Sequence, residues 1–261
     1  MFRCQGPSTD KATDYRGRIA PTPSGYLHLG HAQTFWIAHI RALHANGCLV
    51  FRMEDLDRAR CKPEYRDAAL EDLHWLGVRW QEGPDLGGPH SPYTQCDRLD
   101  WYRQVWQQLY AAGAIYPSPH SRKDVARALS APHEGDREII FPPALRPQTI
   151  TPTRNPDTEP GTVNWRFCVP DGEEIVVNDC RLGPITYRAG VDFGDFIVWR
   201  KDGFPSYELA VVADDRAMEI TEIVRGEDLL LSAARQLLLY RALDWTAPTF
   251  FHCPLVRDDA G

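Results

Sequence analysis

Apolar residues recur at helical spacing over residues 31–46, where Ala32, Phe35, Trp36, Ile40 and Leu43 share a side and Gly47 stands where a C-terminal cap is expected. The run Leu49-Val50-Phe51-Arg52-Met53 then reads as a strand and ends in Glu54-Asp55-Leu56-Asp57. Strand, helix and strand in succession open a parallel α/β unit, a fold in which ligands gather at the carboxyl ends of strands. Residues 63–76 repeat the helical pattern behind Pro63. Residues 95–112 do so again, with Leu99, Tyr102, Trp106 and Leu109 on one face and Gly113 closing it. Ser121 with Asp124 resembles a capping box before a short helix to about Leu129.

The texture changes after Ala131. Seven prolines between there and Gly161 (Pro132, Pro142, Pro143, Pro147, Pro152, Pro156, Pro160) predict an irregular insertion. Short strands follow at 164–169, 174–178 and 193–200, the last closed by the turn Lys201-Asp202-Gly203. A helix from Tyr207 to Asp214, a buried strand from Glu219 to Arg225 and a helix from Ser232 to Leu243 complete the pattern.

With 261 residues and 43% hydrophobic content, the chain can bury a substantial core. No apolar run approaches the roughly 18 residues of a membrane span, so no membrane association is expected. Residues 1–16 lack the apolar segment of a secretory signal and are expected to form a disordered tail of a cytoplasmic protein. Seven scattered cysteines, an odd number without a C-x-x-C pair, point to reduced thiols. The formal charge of −7 predicts no general affinity for polyanions, although a local basic face would still bind phosphates. Arg137, Arg146 and Arg154 in the irregular segment are candidates for such a face, but isolated loop arginines are more commonly just solvated.

The densest chemistry lies in residues 18–31, RIAPTPSGYLHLGH. Pro21 and Pro23 stiffen this segment, Gly25 and Gly30 allow close approach of a ligand to backbone, and His28 and His31 arrive where a helix begins. A helix start with free N–H groups is a place for phosphate. A bare H-x-x-H is more often a surface or capping pair, so the reading rests on its flanks. Elsewhere, Arg18, Arg225, Glu54 and Tyr207 stand at the ends of predicted elements. Arginine pairs bidentately with carboxylates, and an acid can hold an ammonium group. Each also has an ordinary structural reading as a surface arginine, a helix cap or a core tyrosine.

The segment resembles the signature R-x-A-P-[ST]-P-[ST]-G-x-L-H-x-G-H of class I aminoacyl-tRNA synthetases of the glutamyl and glutaminyl branch. The motifs R-M-E-D-L-D, Y-x-L-A-V-V-x-D-D and V-R-G-x-D-L-L follow in order, so the resemblance covers residues 17 to 257. It implies a Rossmann-like α/β nucleotide-binding fold with an inserted, partly irregular α/β subdomain. Its expected divisions are 17–113 and 191–261 for the two catalytic halves and 114–190 for a tRNA-facing insertion. By resemblance, ATP phosphates are held by Ser24, Gly25, His28, Gly30 and His31, with His28 and His31 catalytic. Glutamate is contacted by Arg18, Thr22, Glu54, Tyr207 and Arg225.

The Asp-Leu-Leu wording after Glu227 and the segment GDFIVWRKDGFPSYELAVVADD look like the family's short paralogues. These activate L-glutamate with ATP, without tRNA, and attach it to queuosine at the wobble position in the anticodon stem-loop of tRNA(Asp). Mg2+ is implied with ATP, and a monomer is the default. A catalytic-domain fragment of a glutamyl-tRNA synthetase, a non-catalytic binding module and a generic nucleotidyltransferase of the same fold stay open as alternatives. Relatives often carry Y-x-C-x-C and then Y-x-x-x-C, whereas Tyr116 is followed here by Ser118 and His120, then by Phe141 and Leu145. No structural zinc is therefore expected, with packing in place of a metal knuckle. The family's K-[LM]-S-K loop falls just after P-L-V-x-D-x-x-G, and the sequence stops at Gly261 before it, so ATP activation by these residues alone is expected to be impaired.

Overall fold

The computed structural model describes residues 15–120, 140–150 and 159–256. The predicted helix at 121–129, Arg137, Arg154 and most of the expected N-terminal tail lie outside the described residues. Strand β1 (Arg16–Ile19) runs parallel to β2 (Cys48–Phe51), joined by helix α1 (Leu29–His44). A second parallel pair, β8 (Glu222–Gly226) and β9 (Thr249–Cys253), lies beside them. Thr221 N–H donates to the Arg16 carbonyl at 2.9 Å and ties the two pairs together. On its other side β9 meets β5 (Glu174–Asp179), which pairs antiparallel with β6 (Gly183–Arg188) to give the order β6-β5-β9-β8. A separate antiparallel sheet holds β3 (Ile115–Ser118), β4 (Asn164–Phe167) and β7 (Phe196–Trp199).

Helix α2 (Pro63–Trp75) starts at a proline whose missing N–H costs nothing in the first turn. Helix α3 (Leu99–Ala111) buries Tyr102, Val105, Trp106 and Leu109 completely, as its periodicity predicts. Each such side chain is worth about 1.5–3 kcal/mol relative to exposure. Helix α4 (Tyr207–Ala217) is capped by Ser206, whose hydroxyl accepts from Leu209 N–H, and α5 (Leu230–Ala242) packs beside it.

Some expectations need correction. Helix α1 begins at Leu29, and its buried face is Phe35, Ala38, His39 and Ala42, while Trp36 and Leu43 are exposed. Large apolar side chains at the pattern's edge thus misplace the stripe by about one position. Asn46, not Gly47, takes the left-handed backbone (φ 48°) after α1. Gly47 is required for a different reason: a Cβ there would sit 2.5 Å from the Tyr15 carbonyl oxygen. Strands β3, β6 and β9 are not read from the sequence: β3 and β9 carry no clean alternation, and β6 alternates only between partly buried and exposed positions.

The segment around Tyr116 and Phe141 is held by more than packing. Tyr116 and Phe141 form a small apolar cluster, and the Arg166 guanidinium lies 4.2 Å from the Phe141 ring centre. Asp195, at the start of β7, accepts from the Tyr116 hydroxyl at 2.5 Å, from Val169 N–H at 2.9 Å and from Arg146 Nε and Nη2, each at 2.7 Å. Arg146 also reaches Asp171 at 2.5 Å, so it is an internal ion-pair partner rather than a solvated or phosphate-facing loop arginine. Removing one member of a buried pair leaves its partner's charge uncompensated. Arg146→Met should therefore lower stability by about 3 kcal/mol, read as a lower Cm in urea; an unchanged Cm would show that apolar packing alone holds the segment.

Candidate active site

The chain crosses from β1 into the loop at residues 20–25, and three backbone bonds pin that crossing to the segment after β2. Arg52 N–H donates to Ile19 O at 2.9 Å, Glu54 N–H to Pro21 O at 3.0 Å and Lys62 N–H to Pro23 O at 3.0 Å. Prolines supply no N–H, but their carbonyls accept here, so stiffness and anchoring come from the same residues. The loop borders a cavity of about 600 Å³ at the carboxyl ends of β1, β8 and β9. All ten residues singled out from the sequence line it: Arg18, Thr22, Ser24, Gly25, His28, Gly30, His31, Glu54, Tyr207 and Arg225.

The two histidines take the capping role. His28 is the N-cap of α1: its Nδ1 accepts from Gly30 N–H at 3.2 Å, while His31 Nδ1 accepts from His28 N–H at 3.3 Å. This is a capping box built from imidazoles. Because Nδ1 must carry a lone pair to accept, each neutral ring carries its proton on Nε2, a donor available to an anion in the cavity. Partial burial, and then the neighbouring His28, push the His31 pKa below its usual 6.5, with Asp228 opposing. The ring centres are 3.8 Å apart. A Cβ on Gly30 would approach within 3.0 Å of the His28 ring, so glycine here leaves room for that side chain. At Gly25 a Cβ would meet nothing within 4 Å, so only open space adjoins it.

Elsewhere the cavity wall is ionic. Arg18 is buried; its Nη1 donates to Val224 O at 2.9 Å and its Nε lies 3.5 Å from Asp215. Arg52, fully buried, contacts Asp215 at 2.6 Å and Glu54 Oε1 at 2.9 Å. Among the described residues the second Glu54 oxygen has no hydrogen-bond partner. Burial raises the Glu54 pKa against the opposing pull of Arg52 and Arg18. Asp214, beside Asp215 on α4, is satisfied by Gln95 at 2.9 Å, Arg98 at 2.7 Å and the Tyr102 hydroxyl at 2.8 Å. Tyr207 opens the same helix with 40% of its surface accessible, and the low-dielectric walls push its hydroxyl pKa up to about 12. It is a neutral donor.

Arg225 is held differently. Its Nε donates to His252 Nε2 at 3.1 Å and its Nη1 to Gln236 at 2.9 Å, while Nη2 is buried without a partner. A buried guanidinium nitrogen left unpaired in a cavity wall is poised for an incoming acceptor. Sequence reading missed Arg52, Asp214, Asp215, Gln236 and His252. Arg52 and the aspartates fell inside the recognised motifs R-M-E-D-L-D and Y-x-L-A-V-V-x-D-D without being singled out, whereas Gln236 and His252 carry no local signal. Among the described residues, no group of three His, Cys, Asp or Glu side chains is arranged to hold a metal ion.

The chain matches the family described as tRNA synthetases class I (E and Q), catalytic domain, over residues 14–261. It is 46% identical to a glutamyl-Q tRNA(Asp) synthetase of Symbiobacterium thermophilum, covering 94% of this chain and 76% of the relative. A glutamyl-Q tRNA(Asp) synthetase of Nitratidesulfovibrio vulgaris is 42% identical over the same shares. The crystal structure of a glutamate tRNA ligase from Elizabethkingia meningosepticum, in complex with its amino acid, superposes with a TM-score of 0.80 at 29% identity. It covers 93% of this chain, which spans about half, 50%, of that ligase.

The capping box has a measurable signature. With the folded pKa of His31 below 6.5, the neutral acceptor form dominates above that value and is lost as pH falls through the lowered pKa. Nitrogen-15 NMR should show His31 as the Nε2–H tautomer at neutral pH, titrating below 6.5. An Nδ1–H tautomer would contradict the cap.

Proposed function

Since the chain belongs to the class I tRNA synthetases of the glutamyl and glutaminyl branch, and there to the glutamyl-Q tRNA(Asp) synthetases, we propose that its cavity activates L-glutamate and passes it to queuosine of tRNA(Asp). The observation that carries this reading is the convergence of Arg18, Arg225, Glu54, Tyr207, His28 and His31 on a single cavity. The arginines and Glu54 suit an acidic amino acid: guanidinium groups for carboxylates, and the unpaired Glu54 oxygen for the ammonium.

In the first step an oxygen of the glutamate α-carboxylate attacks the α-phosphorus of ATP. A carbon-to-phosphate anhydride forms and pyrophosphate leaves. Charge grows on the phosphate oxygens as the step proceeds, and preorganised Nε2–H donors from His28 and His31 stabilise it most where it is greatest. Mg2+ accompanies ATP as part of that substrate. In the second step the acceptor on queuosine attacks the activated carbonyl and AMP leaves. The pocket holds the carbonyl in place, which supplies much of the rate through orientation.

Zinc has no fitting donor set in the described part of the segment where relatives carry it. Ser118 is buried against Arg166 at 3.3 Å, and Phe141 and Leu145 offer hydrocarbon. We propose that this region works without zinc, the Arg146 and Asp195 network taking its structural place.

Incubation of the full-length protein with radiolabelled glutamate, ATP and tRNA(Asp) should give alkali-labile label in the anticodon loop, only when queuosine is present. Label on the terminal adenosine would instead identify a glutamyl-tRNA synthetase activity. Arg225→Met should raise the glutamate Kd by roughly tenfold or more, the scale of a lost charge-assisted hydrogen bond, while leaving the affinity for an ATP analogue unchanged.

A further inference from the structure

Two buried side chains, His252 and Gln236, hydrogen-bond Arg225, and each is held in turn by a buried carboxylate. Register between β8 and β9 sets Arg225 directly opposite His252, and β5 brings Asp179 opposite Phe250 on the far side of β9. Asp179 Oδ1 accepts the N–H groups of Arg181 at 2.9 Å and Leu182 at 2.8 Å. Its Oδ2 accepts His252 N–H at 2.9 Å and faces His252 Nδ1 at 2.7 Å. These four contacts make Asp179 an ionised acceptor, so the proton between Asp179 and His252 sits on Nδ1.

A neutral imidazole with its proton on Nδ1 has its lone pair on Nε2. Arg225 is always a donor, and its Nε points at that lone pair. His252 is fully buried, and Arg181 fixes its backbone by donating to the His252 carbonyl. On the other side of the guanidinium, Gln236 accepts from Nη1 while its own amide donates to Glu208 at 3.0 Å. Glu208 is held in turn by the Ser232 hydroxyl at 2.8 Å. With two of its nitrogens clamped, the planar guanidinium has one orientation; Arg225 lines the cavity and its Nη2 is buried without a partner.

We propose that His252 is a positioning residue for substrate binding: Asp179 fixes its tautomer, and the resulting Nε2 acceptor aims Arg225 at a carboxylate of the bound amino acid. This rests on the reading of the cavity as a glutamate pocket. It assigns His252 no contact with substrate and no proton transfer. The arrangement is the logic by which a carboxylate orients a histidine that serves a third group, used here to hold a binding arginine rather than a nucleophile or a metal.

The proposal separates two amides that differ in reach. An asparagine at this position places its amide near the Nδ1 site, where it can satisfy Asp179 but not Arg225. A glutamine extends to the Nε2 site and can supply the acceptor. Calorimetry of glutamate binding should show His252→Asn weakening affinity by roughly tenfold or more, as for a lost hydrogen bond to a charged group. His252→Gln should stay within about threefold of the parent on the same scale. ATP-analogue affinity should stay unchanged in both. Equal weakening by the two variants, or none in His252→Asn, overturns the proposal. Nitrogen-15 NMR of the unsubstituted protein checks it without any variant: His252 must be the Nδ1–H tautomer, and Nε2–H refutes the scheme. If Arg225→Met leaves glutamate binding intact, the pocket reading itself fails; if it abolishes binding while His252→Asn does not, only the positioning role is lost.

Discussion

The cavity exists because of one buried arrangement of charge, in which Asp215 lies between Arg18 and Arg52 and Arg52 in turn holds Glu54. Arg52 has no exposed surface and Asp215 none. Such groups leave water at a cost of several kcal/mol each, and only good geometry between opposite charges offsets it. Here Arg18, Arg52 and Arg98 face Glu54, Asp214 and Asp215, so the cluster balances in sign. It also joins elements distant in sequence: β1, the end of β2, α3 and α4 all contribute. Apolar replacement of the whole cluster would often be no less stable in a protein, so stability alone does not account for it. Its consequence is positional: the guanidinium of Arg18 and the carboxylate of Glu54 reach the cavity with their free edges set by partners behind them.

The proposed phosphate end uses a simpler device. Helix α1 must satisfy N–H groups in its first turn, and the usual solution is a serine or aspartate cap. Histidine in that role does the same work through Nδ1 and leaves a second nitrogen over. The proline-stiffened loop, the cap and the proposed phosphate donors are therefore one local structure. That is why this part of the site is compact in sequence, within residues 18–31, while the ionic part is dispersed over nearly the whole chain.

This difference explains what was readable. The ten site residues picked from the sequence all line the cavity, because each is either in a contiguous motif or at the end of a strand or helix with a clear apolar pattern. Helices α2, α3 and α4 were placed within a few residues by periodicity and punctuation. Strands β3, β6 and β9 were not: β3 and β6 each contain a proline, and no position of β6 is fully buried. His252 was invisible for a related reason. Its partner Arg225 is 27 positions away, and only the pairing of β8 with β9 brings them opposite each other. Arg146 failed in the other direction, since a proline-rich stretch hides the carboxylates of Asp195 and Asp171 that engage it.

The two arginines of the pocket differ in the charge they have left to offer. Arg18 lies 3.5 Å from Asp215, a carboxylate that already draws on its charge. Arg225 is clamped by a neutral imidazole and a neutral amide, with the acids one residue removed: Asp179 behind His252 and Glu208 behind Gln236. Coulomb energy falls as 1/r, so a carboxylate one contact further away is felt about half as strongly. Neutral acceptors thus fix the direction of Arg225 without cancelling its field. Of the two, Arg225 should carry the larger share of attraction for an anionic ligand, while Arg18 mainly shapes the wall against which that ligand lies. Replacing the Arg225 clamp by a carboxylate would hold the side chain equally well and weaken the pocket, which gives a physical reason for histidine and glutamine at these two positions.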